Sequence, residues 1–169
     1  MNSILLIGFM GAGKSTVGSL LAQKLNCPMI DLDDLITEKI QMPINDYFDQ
    51  FGEAAFRQVE SNVLKDNLRT KAIIATGGGI VVSALNRSLL KAQPKVIYLK
   101  TEPQTLVTRI KNDTKNIRPL ATEKSEEEII SLLNGRLTHY EDSAAIVVET
   151  TERSPEEIVE EIMERLAMA

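Results

Sequence analysis

The sequence predicts an α/β fold: three layers, in which a five-stranded parallel sheet is flanked by helices. Short apolar segments rich in branched residues alternate with segments whose apolar residues recur every three or four positions. The first apolar segment leads directly into a glycine loop and then a helix. No internal repeat or low-complexity linker divides the 169 residues, so we expect one domain over residues 1–169.

The first half of the chain alternates strands with helices. Residues 3–7 form a branched apolar run that suits a strand buried on both faces. From Lys14 onward the period changes, and an apolar stripe through Val17 and Leu21 predicts a helix that ends at Asn26. The same two patterns predict a strand at 29–32, helices at 34–40, 45–51 and 53–68, and a strand at 72–76.

The second half continues the alternation around one long polar segment. Residues 113–124 show no period, and we interpret them as a surface loop. Ser125 with Glu128, and Ser154 with Glu157, have the spacing of a capping box, which starts a helix. The predicted elements here are helices at 83–91 and 103–112, a strand at 94–99, a helix at 125–140, a strand at 145–148 and a last helix from 155.

Composition excludes several classes of protein. Hydrophobic residues at 43% and charged residues at 25% are typical of a folded globular chain. A formal net charge of −5 argues against nucleic acid as a partner. The longest uncharged run, fifteen residues at 72–86, is shorter than a membrane span. The single Cys27 and single His139 favour neither a disulfide nor a zinc site, so we expect a reducing, cytoplasmic setting and no membrane.

Residues 8–15 match the pattern G-x-x-x-x-G-K-[ST] between a predicted strand and a predicted helix. Such a loop surrounds phosphate with backbone amides, its lysine reaches the β- and γ-phosphates, and its hydroxyl binds Mg²⁺. The pattern therefore predicts a nucleotide site. No Asn-Lys-x-Asp motif of the GTPases is present, so we expect ATP. The predicted ATP-binding residues of this loop are Gly11, Ala12, Gly13, Lys14, Ser15 and Thr16.

Two further strings suggest where a second substrate binds. Asp31 and Asp33 end the second predicted strand, and strand alternation places both carboxylates on one side. One could bind magnesium while the other accepts a proton from a hydroxyl, although Asp33 or Asp34 could instead cap the next helix. Arg57 and Glu60 share a helical face, and alone they would be read as a surface ion pair.

Taken together, these strings resemble the shikimate kinase family. The matching segments are Gly-Phe-Met-Gly-Ala-Gly-Lys-Ser-Thr at 8–16, Asp31-x-Asp33, Phe56-Arg57-x-x-Glu60, the triple glycine at 77–79, Arg118-Pro119-Leu120, and Arg136 with Tyr140. The resemblance implies a P-loop fold like that of the nucleoside-monophosphate kinases, with a lid. It also implies transfer of the γ-phosphoryl group of ATP to the 3-hydroxyl of shikimate, with one Mg²⁺ ion.

The resemblance also implies roles for individual residues. Lys14, Asp33 and Arg118 are the expected catalytic residues, with Asp33 as the general base. Asp31 joins Ser15 as a magnesium ligand. The expected substrate-binding residues are Asp33, Arg57, Gly78, Gly79 and Arg136, on helices of about 33–60 and beyond. Arg118 lies on a lid of about 112–124, and Arg153 is expected against adenine, whereas Arg109 receives no role.

Other functions remain open at this stage. The chain could phosphorylate another small hydroxy acid such as gluconate, or a nucleoside monophosphate, although the paired arginines and the triple glycine argue against both. It could also be a nucleotide-binding module without turnover, since fold alone does not establish activity. For the shikimate kinase reading we expect ATP and shikimate as partners and a monomer.

Overall fold

The structure is a computed structural model that describes residues 2–112 and 125–168. Within these residues, five strands form one parallel sheet in the order β2-β3-β1-β4-β5. The strands are β1 (Ile4–Ile7), β2 (Met29–Asp31), β3 (Ile73–Ala75), β4 (Val96–Lys100) and β5 (Ile146–Glu149). The predicted five-stranded parallel sheet flanked by helices is therefore confirmed.

The helices follow the predicted order. They are α1 (Lys14–Leu25), α2 (Leu32–Ile40), α3 (Ile44–Asn67), α4 (Ala84–Lys91), α5 (Pro103–Asn112), α6 (Glu126–Ser143) and α7 (Pro155–Met168). The two helical stretches predicted at 45–51 and 53–68 form α3, which is interrupted by Gly52 at φ 86°. Among residues 2–112 and 125–168, no helix is both long and apolar enough to cross a membrane.

Both predicted capping boxes are present. Ser125 Oγ accepts the Glu128 N–H at 3.2 Å, and Glu128 Oε1 accepts the Ser125 N–H at 3.3 Å. Ser154 and Glu157 make the same pair of bonds at 3.1 and 3.3 Å. Each pair satisfies two amides that a helix N-terminus leaves without a partner, so α6 and α7 begin where the sequence predicts.

The strand order determines where the loops meet. β1 lies between β3 and β4, and its four residues are at most 3% exposed, which explains its continuous apolar run. Because the sheet is parallel, the carboxyl ends of β1, β2 and β3 lie at one edge. The glycine loop after β1, Asp31 to Asp33 after β2, and the triple glycine after β3 are thereby brought together.

Candidate active site

A cavity of about 740 Å³ opens at this edge of the sheet. The glycine loop, the segment after β2 and the triple glycine after β3 all contribute to it. The lining residues are Met10 to Val17, Asp31, Asp33, Asp34, Thr76, Gly77, Gly78, Arg109, Arg153, Pro155 and Ile158. The predicted loop residues Gly11 to Thr16 therefore all face one space.

The glycine loop has the backbone of an anion cradle. Gly11 and Gly13 have φ of 85° and 94°, values that side chains rarely tolerate. Gly13 directly precedes α1, and the first residues of this helix line the cavity, so its free N-terminal amides are available to a bound anion. Lys14 Nζ donates to the carbonyl of Phe9 at 3.0 Å, so its ammonium lies across the loop. This arrangement suits phosphate binding at the N-terminus of α1.

Asp31 uses its two carboxylate oxygens for different contacts. Oδ1 accepts the N–H of Asp33 at 3.0 Å and caps α2, whereas Oδ2 accepts the Ser15 hydroxyl at 3.3 Å. The expectation that Asp33 or Asp34 caps this helix is wrong, because the strand ends one residue earlier than predicted and Asp31 becomes the cap. A hydroxyl beside a carboxylate is a donor set that fits Mg²⁺, which prefers oxygen ligands and keeps several from phosphate and water.

Asp33 lies in the first turn of α2, and its carboxylate faces the cavity. Strand alternation was the wrong reason for its placement, since Leu32 already begins the helix. Burial raises the pKa of the Asp33 carboxyl, and the nearby Asp31 raises it further, while Lys14 and Arg57 oppose the shift. A carboxylate with a raised pKa is a stronger base, which suits proton transfer from an alcohol.

Arg57 is fixed on several sides. Its Nη1 donates to both oxygens of Glu60, at 3.1 and 3.2 Å, and its guanidinium lies 5.2 Å from the ring centroid of Phe56 and 5.7 Å from that of Phe48. Glu60 is only 1% exposed, so the reading of this pair as a surface ion pair is wrong. The predicted proximity of Arg57 and Glu60 on one helical face is confirmed.

Each glycine of the triple glycine lies against a different part of the site. A Cβ on Gly77 would lie 2.8 Å from Asp33 Oδ1, and a Cβ on Gly79 would lie 2.6 Å from Arg57 Nη2. A Cβ on Gly78 would lie 3.2 Å from the backbone nitrogen of Met10 in the glycine loop. The segment at 77–79 is therefore a wall from which side chains are excluded by close contacts within the protein.

Arg136 reaches the same wall from α6. Its Nη1 donates to the carbonyl of Gly78 at 3.4 Å, and the hydroxyl of the buried Tyr140 donates to that carbonyl as well. The Arg136 guanidinium also lies 5.8 Å from the ring centroid of Phe9. Arg57, Gly79 and Arg136 are not lining residues of the 740 Å³ cavity. They meet it through the triple-glycine wall.

The opposite end of the cavity contains two arginines. Arg153 Nη1 donates to Glu149 O and Glu161 Oε1, both at 2.7 Å, so these donors hold the corner between β5 and α7. Arg109, to which the sequence assigned no role, donates to Gly11 O at 3.0 Å and also lines the cavity. The sequence offered no signal for this contact, because it depends on β4 lying next to β1 in the sheet. Arg118 and the predicted lid beyond Asn112 lie outside the described residues.

The fold and this cavity define the chain as a P-loop protein of the small-molecule kinase class, with a phosphate cradle facing a separate acid and arginine site. The family model of shikimate kinase matches residues 10–167. The chain therefore belongs to the shikimate kinase family.

Individual relatives agree with this assignment. A shikimate kinase of Enterococcus faecalis is 53% identical over 166 residues, which cover 98% of this chain and 99% of the relative. The solved structure of a shikimate kinase from Acinetobacter baumannii in complex with shikimate has a TM-score of 0.90 at 34% identity, and covers 99% of this chain and 94% of that one. A gluconokinase structure from Sinorhizobium meliloti has a TM-score of 0.62 at 20% identity, covering 98% and 91%, which shows a shared fold alone.

Proposed function

We propose that the chain transfers the γ-phosphoryl group of ATP to the 3-hydroxyl of shikimate. One observation carries this proposal: the glycine loop, Asp33 and the glycine wall that contacts Arg57 surround one cavity. A triphosphate in the loop and an acid held near Arg57 would meet at Asp33. The relative from Enterococcus faecalis, a shikimate kinase matched over 99% of its length, and the shikimate complex of the Acinetobacter enzyme support shikimate as the acceptor.

On the acceptor side, Arg57 and Arg136 would bind the shikimate carboxylate, because a planar guanidinium matches a planar carboxylate with paired hydrogen bonds. The backbone of Gly78 and Gly79 would lie against the ring. Asp33 would orient the 3-hydroxyl and accept its proton as the oxygen attacks the γ-phosphorus. The bond from that phosphorus to the bridging oxygen breaks, and ADP leaves with the electron pair.

On the nucleotide side, the backbone of Gly11, Ala12, Gly13 and Thr16 would hold the phosphates, and Lys14 would neutralise charge on the transferred group. Ser15 and Asp31 would hold one Mg²⁺, which neutralises phosphate charge when bound. From the family resemblance we also propose Arg118 as a lid residue over the phosphates and Arg153 beside adenine. In support, Arg153 lines the cavity and is held there by hydrogen bonds to Glu149, Glu157 and Glu161.

Several broader expectations stay proposals of the same kind. We propose that residues 1–169 act as one kinase domain, with a lid of about 112–124 and acceptor-binding helices of about 33–60. We also propose that the protein acts as a monomer. The single cysteine supports a reducing, cytoplasmic setting.

An ADP-release assay with shikimate, gluconate and AMP as separate acceptors tests the proposal. We expect rapid ADP release with shikimate and only background release with the other two. Product analysis should place the new phosphate on the 3-hydroxyl. Slow, equal loss of ATP with all three acceptors would instead indicate a nucleotide-binding module without transfer. Preference for gluconate or AMP would assign a different kinase.

A further inference from the structure

Asn86 is a buried polar residue for which the proposed mechanism has no role so far. It lies in the first turn of α4 and has no exposed surface. We propose that Asn86 is a positioning residue: it holds Glu60, and Glu60 holds Arg57 in the orientation that binds the carboxylate of the acceptor. This inference rests on the proposed function and adds one residue that does not touch the substrate.

Both ends of the Asn86 amide have a defined partner. Its Nδ2 donates to Glu60 Oε1 at 3.0 Å, and its Oδ1 accepts the Ser61 hydroxyl at 2.6 Å. Rotation of the amide by 180° would break the bond to Glu60, because an amide oxygen would then face a carboxylate that can only accept. The Ser61 hydroxyl can donate or accept, so it could bond to either end of the amide. Glu60 therefore determines which end of the amide faces it, and the Ser61 hydroxyl holds the other end.

Glu60 depends on such a donor because it is almost completely buried. Its Oε1 accepts from Asn86 and from Arg57 Nη1, and its Oε2 also accepts from Arg57 Nη1. Burial raises the pKa of Glu60, while the bonds from Arg57 and Asn86 oppose the shift and favour the carboxylate. Without the Asn86 donor, Glu60 would lose both a fixed orientation and part of the support for its charge.

The orientation of Arg57 matters because Glu60 engages Nη1 alone. Among the described residues, the buried Nε of Arg57 makes no hydrogen bond but lies 3.7 Å from Glu53 Oε1, and Nη2 lies next to Gly79 at the glycine wall. The donors that remain for a carboxylate point in a direction set by the Nη1 anchor. The stretch of chain at 79–86 therefore affects Arg57 in two ways: Gly79 lies against Nη2, and Asn86 holds the Glu60 carboxylate that binds Nη1.

Asn86→Leu tests the proposal, because leucine has a similar volume and no hydrogen-bonding group. We expect the KM for shikimate to rise about tenfold or more, while the KM for ATP and the kcat change by less than about twofold. Asn86→Ser, which is too short to reach Glu60, should give the same pattern if the leucine variant folds poorly. Leu85→Ala is the matched control, because Leu85 lies in the same turn of α4 but is 51% exposed, so the substitution leaves the two amide bonds of Asn86 in place.

A neutral acceptor separates positioning from general damage to the fold. The methyl ester of shikimate lacks the charge that Arg57 would bind, so Asn86→Leu should lower kcat/KM for the ester by less than about twofold. Equal losses for acid and ester, or a KM rise in Leu85→Ala as large as in Asn86→Leu, would overturn the proposal. An unaltered shikimate KM in the Asn86 variants would do the same. If the wild-type protein does not phosphorylate shikimate, the proposed function fails first and this inference with it.

Discussion

At the scale of single residues, the most direct test concerns Asp33. Its carboxylate faces the cavity with a raised pKa, and Asn keeps the shape but cannot accept a proton as a base. Asp33→Asn should lower kcat by about 10²- to 10⁴-fold, the usual contribution of general base catalysis. Nucleotide affinity should change little, because the phosphate loop is a separate contact. Steady-state kinetics with titration of ADP checks both, and near-normal turnover would remove Asp33 from the mechanism.

Arg57→Lys tests the carboxylate clamp. Lysine keeps the charge but loses the planar fork, the paired contact with both Glu60 oxygens and the packing against Phe48 and Phe56. The KM for shikimate should rise about 10- to 100-fold, in line with the loss of hydrogen bonds to a charged group. The KM for ATP should stay within about twofold. An equal rise in both values in initial-rate measurements would count against the clamp.

The chemistry-bearing residue types were predictable from sequence because each motif requires them. The contacts between motifs were not predictable. The Gly-Lys-Ser string predicted the loop, but the split role of Asp31, with one oxygen on α2 and the other toward Ser15, depends on where β2 ends. Arg109 and Asn86 gave no local pattern at all. Their roles follow from helices packed beside the loop and beside α3, which are distant in sequence.

At the scale of elements, the glycine wall shows how one segment serves several side chains. Gly79 has ordinary backbone angles, so alanine there is limited only by the 2.6 and 2.8 Å approach of its Cβ to the Arg57 guanidinium. Because Glu60, Phe48 and Phe56 hold the guanidinium, moving it should cost about 1–3 kcal/mol of folding free energy in Gly79→Ala. The displaced guanidinium should raise the KM for shikimate by about tenfold or more. Denaturant unfolding and kinetics on the same variant measure the two effects.

Gly135→Ala in α6 is the control for Gly79→Ala. Its new Cβ would have no atom within 4 Å, and alanine favours a helix over glycine by about 0.5–1 kcal/mol. We expect a small gain in stability and unchanged kinetics. If both variants raised the KM equally, the close contact at Gly79 would not be the cause.

Element boundaries were predictable where local chemistry determines them. Proline and the capping boxes located the starts of α5, α6 and α7, and Gly52 located the break in α3. The strand predicted to end at residue 32 ends at Asp31, and the helix predicted to begin at residue 34 begins at Leu32. An apolar residue after a short strand fits the strand pattern and the helix pattern equally well. In the structure Leu32 is the first residue of α2, and its side chain is fully buried there.

At the scale of the whole molecule, the sheet order is what makes one site from separate motifs. Alternating strands and helices predicted a parallel sheet, yet they did not specify that β1 lies between β3 and β4. That order depends on pairing between segments as far apart as residues 4 and 73, and no local sequence pattern predicts such pairing. Once β1, β2 and β3 are neighbours or near neighbours, their carboxyl ends bring the phosphate loop, Asp33 and the glycine wall to one edge.

The free energy of unfolding of the whole molecule should depend on pH through the buried Glu60 carboxyl. Its pKa in the folded state is raised above 4.5, mainly by burial, despite the opposing charge of Arg57. Below pH 4.5 the group is protonated in both states. As the pH rises from 4.5 through the raised pKa, the unfolded chain ionises more readily, so the folded state becomes relatively less stable. Glu60→Gln cannot ionise and lacks this dependence.

The free energy of unfolding of the wild type, minus that of Glu60→Gln, should therefore fall across this pH window and level off above it. Urea denaturation of both proteins at several pH values gives the difference, and ionisable groups common to both largely cancel. A difference that rises with pH would mean that Arg57 outweighs desolvation. The Arg57–Glu60 ion pair would then stabilise the fold by itself. A role in binding the carboxylate of the acceptor would not be needed to explain why Glu60 is buried.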